Sequence, residues 1–345
     1  MRLRFRLNLK YERMIFVLRK KILGRTGLEV GELSVGGLFL SDYGGGYEMS
    51  KKALLKALDC GCNYIDTAPG YFNSEEVLGN ILTGCQKPLI FSTKLGGRPQ
   101  PFDPKNKEGL LFSVKESLRL LKRDHIDILF IHEPDRPMQY DWWTDSDQYD
   151  GPVMEVLDQL KKEGLVKFIG LGGTTTHELA RICDTGKFDC VLTASNYSLL
   201  WQEARYEVIP AAKRHNMGIV SGSPLQQGAL SQRYDDLIEH GAPWLSLPRR
   251  EQYRALYKLL DETGMPIVEM CMRFIISNPD ISCVLTGARS EEEFLGNLHA
   301  IEKGPLPQDI LDEIERIYQM VPFRPSLEPF SMPFLKPYQG AGELV

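Results

Sequence analysis

A chain of 345 residues, 43% of them hydrophobic, can bury a large core, and its formal net charge of −5 offers no basic footprint for nucleic acid. No apolar run is long enough to cross a bilayer. Seven cysteines are scattered; Cys60 and Cys62 have no second pair or histidine at zinc spacing, so we expect no metal, and reduced thiols in a cytoplasmic protein.

The start, Met1 to Arg6, alternates apolar and cationic residues. It lacks the apolar core and cleavage site of a signal peptide. A mitochondrial presequence and a later natural start at Met14 both account for it.

In chain order, Gly24 and Gly27 supply turns of a small hairpin. Ser34 to Leu40 reads as a first buried strand. Ser50 is a candidate N-cap for a helix with Ala53, Leu54, Ala57 and Leu58 on one face. Tyr64 to Thr67 is a second strand, followed by a helix from Ser74 with Glu75 and Glu76 in its first turn, where the helix dipole favours acids. Leu89 to Lys94 is the third strand. Gly96 to Asn106 is a glycine- and proline-rich loop, and Leu110 to Leu121 a helix. Asp127 to His132 is the fourth strand. An acidic, aromatic insertion from Pro134 to Gly151 follows; its length suggests a functional loop.

Further on, Val153 to Glu163 is a helix, Val166 to Leu171 a strand, and Thr176 to Asp184 a helix. Cys190 to Asn196 is a strand, Ala204 to Arg214 a helix, and Gly218 to Ser221 a strand. A long excursion from Gln226 to Pro248 precedes helices at 249–262 and 267–277. Ile281 to Thr286 is the eighth strand and Glu291 to Ala300 the eighth helix. Eight apolar runs alternating with helices, without a Gly-x-Gly-x-x-Gly after the first strand, favour a single-domain α/β structure, a (β/α)₈ TIM barrel with long loops at its C-terminal face, over a doubly wound sheet. We assign 1–20 to an N-terminal extension, 21–320 to the barrel and 321–345 to a tail lying over it.

Three strands end on ionisable residues: Asp66, Lys94 and His132. In such a barrel these lie on the face where chemistry is done. Tyr71 follows Asp66 closely enough to share the space. Singly, each has an ordinary explanation as a turn cap or a solvated or satisfied strand end. Together they suggest proton transfer. A tyrosine holds its proton too tightly for base chemistry near neutrality, and a nearby lysine would lower its pKa.

The ordered set Asp66-Thr67-Ala68-x-x-Tyr71, Glu75-x-x-Leu78-Gly79, Ser92-Thr93-Lys94, Asp127-x-x-x-x-His132, Ser223-Pro224-Leu225 and Gly287-Ala288-Arg289-Ser290 with Asn297 resembles the aldo-keto reductases. The resemblance implies hydride transfer between a carbonyl or alcohol and NAD or NADP held without a Rossmann fold. It implies Asp66, Tyr71, Lys94 and His132 as catalytic residues. It places Gly37, Leu38, Asp66, Ser223, Leu225, Gly287, Arg289, Ser290, Glu293 and Asn297 at the cofactor.

The chain departs from many members in two places. Gly172-Gly173 stands where a Ser-Asn pair holds the nicotinamide amide, and Gly222 where an aromatic residue stacks on the ring. Glu293 would repel a 2′-phosphate, whereas Arg289 could bind one; the balance leans to NAD. Along with Ala194 to Leu200 and Gly241 to Trp244, these departures resemble a subgroup of sugar dehydrogenases. A small-molecule sugar or carbonyl substrate is then expected against Phe39, Tyr71, Phe72 and His132. Trp142 and Trp143 would either stack on it or pin the inserted loop. Alternatives are a general NADPH-dependent aldehyde and ketone reductase, or a cofactor-binding regulatory subunit like the potassium-channel beta subunits. A homo-oligomer is possible, with no membrane partner.

Overall fold

The computed structural model describes residues 18–242 and 245–323. Most of the proposed N-terminal extension, nearly all of the proposed tail, and Pro243 and Trp244 lie outside that range.

A short antiparallel hairpin comes first, β1 (Lys20–Ile22) with β2 (Glu29–Gly31). Eight parallel strands follow: β3 (Leu33–Gly36), β4 (Tyr64–Asp66), β5 (Ile90–Leu95), β6 (Ile126–His132), β7 (Val166–Gly173), β8 (Cys190–Ala194), β9 (Gly218–Gly222) and β10 (Cys283–Thr286). They close a barrel in the order β10-β3-β4-β5-β6-β7-β8-β9. Near-continuous apolar runs form these strands because both faces are buried, one in the barrel and one under helices.

Eleven helices are described: α1 (Tyr47–Asp59), α2 (Ser74–Ile81), α3 (Lys107–Leu121), α4 (Pro152–Lys162), α5 (His177–Asp184), α6 (Val208–Arg214), α7 (Asp235–His240), α8 (Leu247–Thr263), α9 (Ile267–Ile276), α10 (Glu291–Glu302) and α11 (Gln308–Tyr318). None is long and apolar enough to cross a membrane.

The barrel interior and the strand–helix interface are separate cores. Inside lie Tyr64, Ile128, Phe130, Cys190, Leu192, Val220 and Leu285, with Leu23 and Val30 of the hairpin region closing the N-terminal end. Because side chains alternate along a strand, these positions fix what faces inward at the other end. Tyr64 inside puts Asp66 inside, Phe130 puts His132 inside, and Val220 puts Gly222 inside.

The structure corrects four local readings. The first strand stops at Gly36, and Gly37–Leu40 coil into a 3₁₀ turn. The first helix begins at Tyr47, directly after Gly46 at φ +80°, so Ser50 lies within it rather than capping it. A short helix, α7, interrupts the 226–248 excursion. Helix α11 was not anticipated, although Ile310, Ile314 and Ile317 recur at helical spacing and the last two are buried.

Two motifs prove to be structural. Asp127 sits at the N-terminal end of β6, where its carboxylate accepts from the Phe91 N–H at 2.9 Å and from Lys167 at 2.9 Å. Buried Glu75 accepts from Thr93 Oγ1 and Arg98, each at 2.7 Å, tying α2 to β5 and its loop. Gly79 is required by close approach: a Cβ there would lie 2.0 Å from the Leu120 carbonyl oxygen of α3.

Candidate active site

Asp66, Lys94 and His132 end up on three adjacent strands, β4, β5 and β6, all facing into the barrel mouth. Asp66 is nearly fully buried and both its oxygens are used. Oδ1 accepts from Ser92 Oγ at 2.6 Å, and Oδ2 from Lys94 Nζ at 2.7 Å. Lys94 Nζ also donates to the Thr67 carbonyl at 2.7 Å. Tyr64, one layer down, hydrogen-bonds Ser92 at 2.9 Å. Each member therefore has a partner that fixes it, as a buried polar cluster requires.

Tyr71 is brought back over this cluster by the turn after β4. Its N–H donates to the Ala68 carbonyl at 3.0 Å, and its carbonyl accepts from the Ser74 N–H at 3.0 Å. Lys94 Nζ sits 4.7 Å from the Tyr71 ring centroid. The Tyr71 and His132 rings meet edge to face, with centroids 6.0 Å apart and planes at 83°. Tyr71 and His132 are half-buried, so the four side chains share a pocket open to solvent.

The electrostatics refine the expectation for tyrosine. Burial raises the Tyr71 phenol above its ordinary value; the Lys94 cation opposes this but does not overcome it. Tyr71 therefore carries its proton at neutral pH. Burial works to lower Lys94, but Asp66 and Tyr71 outweigh it and keep the ammonium charged. Burial, reinforced by Lys94, pushes His132 down to about 3, so it is a neutral imidazole.

The other half of the mouth is different. Gly36, Gly172, Ala194 and Gly222 occupy the inward positions on β3, β7, β8 and β9, paired in register as Gly36 with Asp66, His132 with Gly172 and Ala194 with Gly222. A Cβ at Gly172 would meet its nearest neighbours at 3.7 Å, an ordinary contact, so packing does not demand glycine there. The bare floor suits a flat ring laid beside Lys94 and Tyr71, and the residues present fit a nicotinamide.

The remaining cofactor candidates fall around the same mouth. Gly37 leaves no space for a side chain, since its Cβ would lie 2.8 Å from the Asp66 carbonyl and from Ser74 Oγ. Leu38 and Leu225 are half-buried, and Ser223 has a left-handed φ of +54°. Gly287 lies directly under Phe39, whose ring would be 2.5 Å from a Cβ there. Ser290 caps α10, accepting from the Glu293 N–H at 3.2 Å. Buried Asn297 donates to Thr286 Oγ1 at 2.6 Å, pinning α10 to the end of β10. Arg289 is held by Glu293, with guanidinium to carboxylate at 2.6 Å and the Arg289 N–H at 2.9 Å. Burial opposes the ionised carboxylate of Glu293, but Arg289 outweighs it and holds the carboxyl below its usual range.

On the substrate side, Phe72 is exposed and stacks on Tyr43, with centroids 5.3 Å apart and planes at 8°; Phe39 adds a third ring 5.5 Å from Tyr43. Tyr43 was not singled out in the sequence, though it lies four residues past Phe39. Of the two readings of the tryptophans, their burial fits loop pinning. Trp142 is fully buried against Phe102 and Tyr140, and Trp143 packs on Tyr149 with its Nε1 donating to the Pro134 carbonyl at 3.3 Å. They pin the insertion onto itself and onto the loop after β5, and they are buried. Glu133, also overlooked, follows His132 with φ +52°. Among the described residues no cluster of acids, histidines and cysteines could hold a metal ion.

A barrel with these residues at its mouth defines an oxidoreductase of one class: the family model of the Aldo/keto reductase family matches residues 34–319, and the chain belongs to that family. L-galactose dehydrogenase of Arabidopsis thaliana is 28% identical over 314 residues, covering 87% of this chain and 94% of that protein. D-threo-aldose 1-dehydrogenase of a Pseudomonas species is 32% identical over 245 residues, 62% of this chain and 71% of the relative. A probable voltage-gated potassium channel subunit beta of Arabidopsis thaliana is 26% identical over 334 residues, 88% of this chain and 98% of the relative.

Proposed function

We propose that this chain is an NAD(P)-dependent oxidoreductase that moves a hydride between a nicotinamide cofactor and a sugar or sugar-like carbonyl or alcohol. The observation that carries this reading is the Asp66–Lys94 ion pair with Tyr71 and His132 packed beside it, next to a floor of glycine and alanine. When bound, the nicotinamide supplies or accepts the hydride. The protein's side chains do the rest. Tyr71, protonated at neutral pH, donates to the carbonyl oxygen in reduction and takes the alcohol proton in oxidation. Lys94 steadies the phenolate left behind, and Asp66 holds Lys94 in place. His132, neutral, donates an N–H to the same oxygen and orients it.

The sugar dehydrogenase relatives support a hydroxylated substrate. The Arg289–Glu293 pair supports NAD: a 2′-phosphate would have to take Arg289 from its carboxylate and approach that carboxylate itself. The experiment is absorbance at the reduced-nicotinamide band, with NAD and NADP in parallel, over aldoses, glycosides and simple aldehydes. Reduction of NAD by one class of sugar is the expected result. NADPH consumption confined to simple aldehydes would replace this reading with a general reductase. The potassium-channel relative favours a second reading, a cofactor-binding subunit; cofactor binding without turnover across the panel is its expected signature.

A further inference from the structure

We propose that Glu133 is the group that selects a hydroxylated substrate, accepting hydrogen bonds from the hydroxyls next to the reacting carbon. The proposal rests on the sugar reading above and deepens it.

Glu133 follows His132 directly, so its carboxylate stands at the rim of the site and is tied to it by one backbone step. Its φ of +52° is a left-handed conformation that glutamate adopts only under constraint. The constraint is visible: the Glu133 N–H donates to the Gly172 carbonyl at 2.6 Å, bending the chain across the end of β7. That bend sets the side chain off the ordinary alternation of β6. The side chain remains 15% exposed, partly shielded from bulk water.

Thr174 Oγ1 donates at 3.5 Å, the Arg136 guanidinium lies 3.6 Å away, and the Arg136 and Gln139 side chains hydrogen-bond the carboxylate. A carboxylate can accept from several donors, and these do not exhaust its capacity. It is also close enough to Tyr71 for its charge to help raise that phenol. Because Glu133 is bonded to His132 and its N–H is held by Gly172 of the floor, a substrate with its carbonyl between Tyr71 and His132 has Glu133 beside it on the rim between β6 and β7. Two and three strands away along the rim, the Phe72 ring after β4 and the Phe39 and Tyr43 rings after β3 give the apolar face of such a molecule a surface to lie on. A carboxylate opposite stacked rings suits a neutral polyol, whose hydroxyls donate while its C–H face stacks. The same carboxylate disfavours a uronate or a sugar phosphate.

The test compares wild type, Glu133→Gln and Glu133→Asp on three probes: neutral aldoses, a simple aldehyde without hydroxyls, and a uronate. Glu133→Gln should raise KM for the aldose by about 10- to 100-fold, the range for a lost hydrogen bond to a charged group. It should leave kcat, the KM of the simple aldehyde and the NAD dissociation constant close to wild type, and improve the uronate relative to the aldose. Glu133→Asp should fall between. An unchanged aldose KM, or equal rises for aldose and simple aldehyde, would overturn the role of Glu133 while leaving the sugar reading intact. A wild type that turns over no aldose would remove the sugar reading, and this proposal with it.

Discussion

The two halves of the barrel mouth come from the same inward strand positions and are built on opposite plans. On β4, β5 and β6 those positions carry Asp66, Lys94 and His132, and the cluster around them is bonded to itself. On β3, β7, β8 and β9 they carry Gly36, Gly172, Ala194 and Gly222, with nothing larger than a methyl group. The polar half is finished by the fold, because buried charges must find partners before the chain is stable. The bare half is left for a guest. At Gly172 packing does not forbid a side chain, as it does at Gly79; on the reading proposed above, that space is kept for the nicotinamide.

The comparison can be tested from both sides. Tyr71→Phe removes the proton carrier and leaves the floor untouched. Turnover should fall about 10²- to 10⁴-fold, read from the nicotinamide absorbance, while cofactor binding, followed by fluorescence quenching, stays near wild type. Under the regulatory-subunit reading, a partner response would survive the same change. Lys94→Met breaks the polar half at its centre. Lys94 and Asp66 side chains are only 2% and 4% exposed, so the stranded carboxylate should cost about 3–5 kcal/mol of stability, measured by urea unfolding.

Gly172→Val fills the bare half. Its Cβ meets the protein only at ordinary contact distance, so unfolding should shift only slightly. Cofactor affinity should fall about 10- to 100-fold, the scale of an overpacked contact. A native affinity in that variant would mean the floor is not used. Glu293→Gln, at the outer end of the cofactor path, should move the NADP-to-NAD ratio a few-fold toward NADP, because the pair it breaks is exposed. The smallest effect expected is an absence. With His132 titrating at about 3, the pH profile of reduction should show no histidine step between about pH 5 and 8. Because Tyr71 is raised and must be protonated to donate, the falling limb should lie above about pH 10.

Much of this was legible in the chain. Apolar runs ending in Asp66, Lys94 and His132 announced buried parallel strands with polar tips, and the barrel follows from their number and spacing. The position of Tyr71 could be read because a turn of only four intervening residues cannot carry it far. Less visible was what depends on burial rather than on order. Trp142 and Trp143 read equally as sugar-stacking or loop-pinning residues because a loop shows no periodicity from which to judge its inner face. The raised phenol of Tyr71 reflects a contest between desolvation and Lys94 that spacing does not weigh. Glu133 was hidden because a left-handed glutamate has no sequence mark, unlike a glycine.

The hairpin that carries Leu23 and Val30 under the barrel has one last consequence. With Leu23 and Val30 sealing the far end, the pocket is a blind alley with a single door. If the bare floor holds the cofactor as proposed, the cofactor arrives before the molecule that covers it and departs after it. A closed bottom thus imposes a queue at the top.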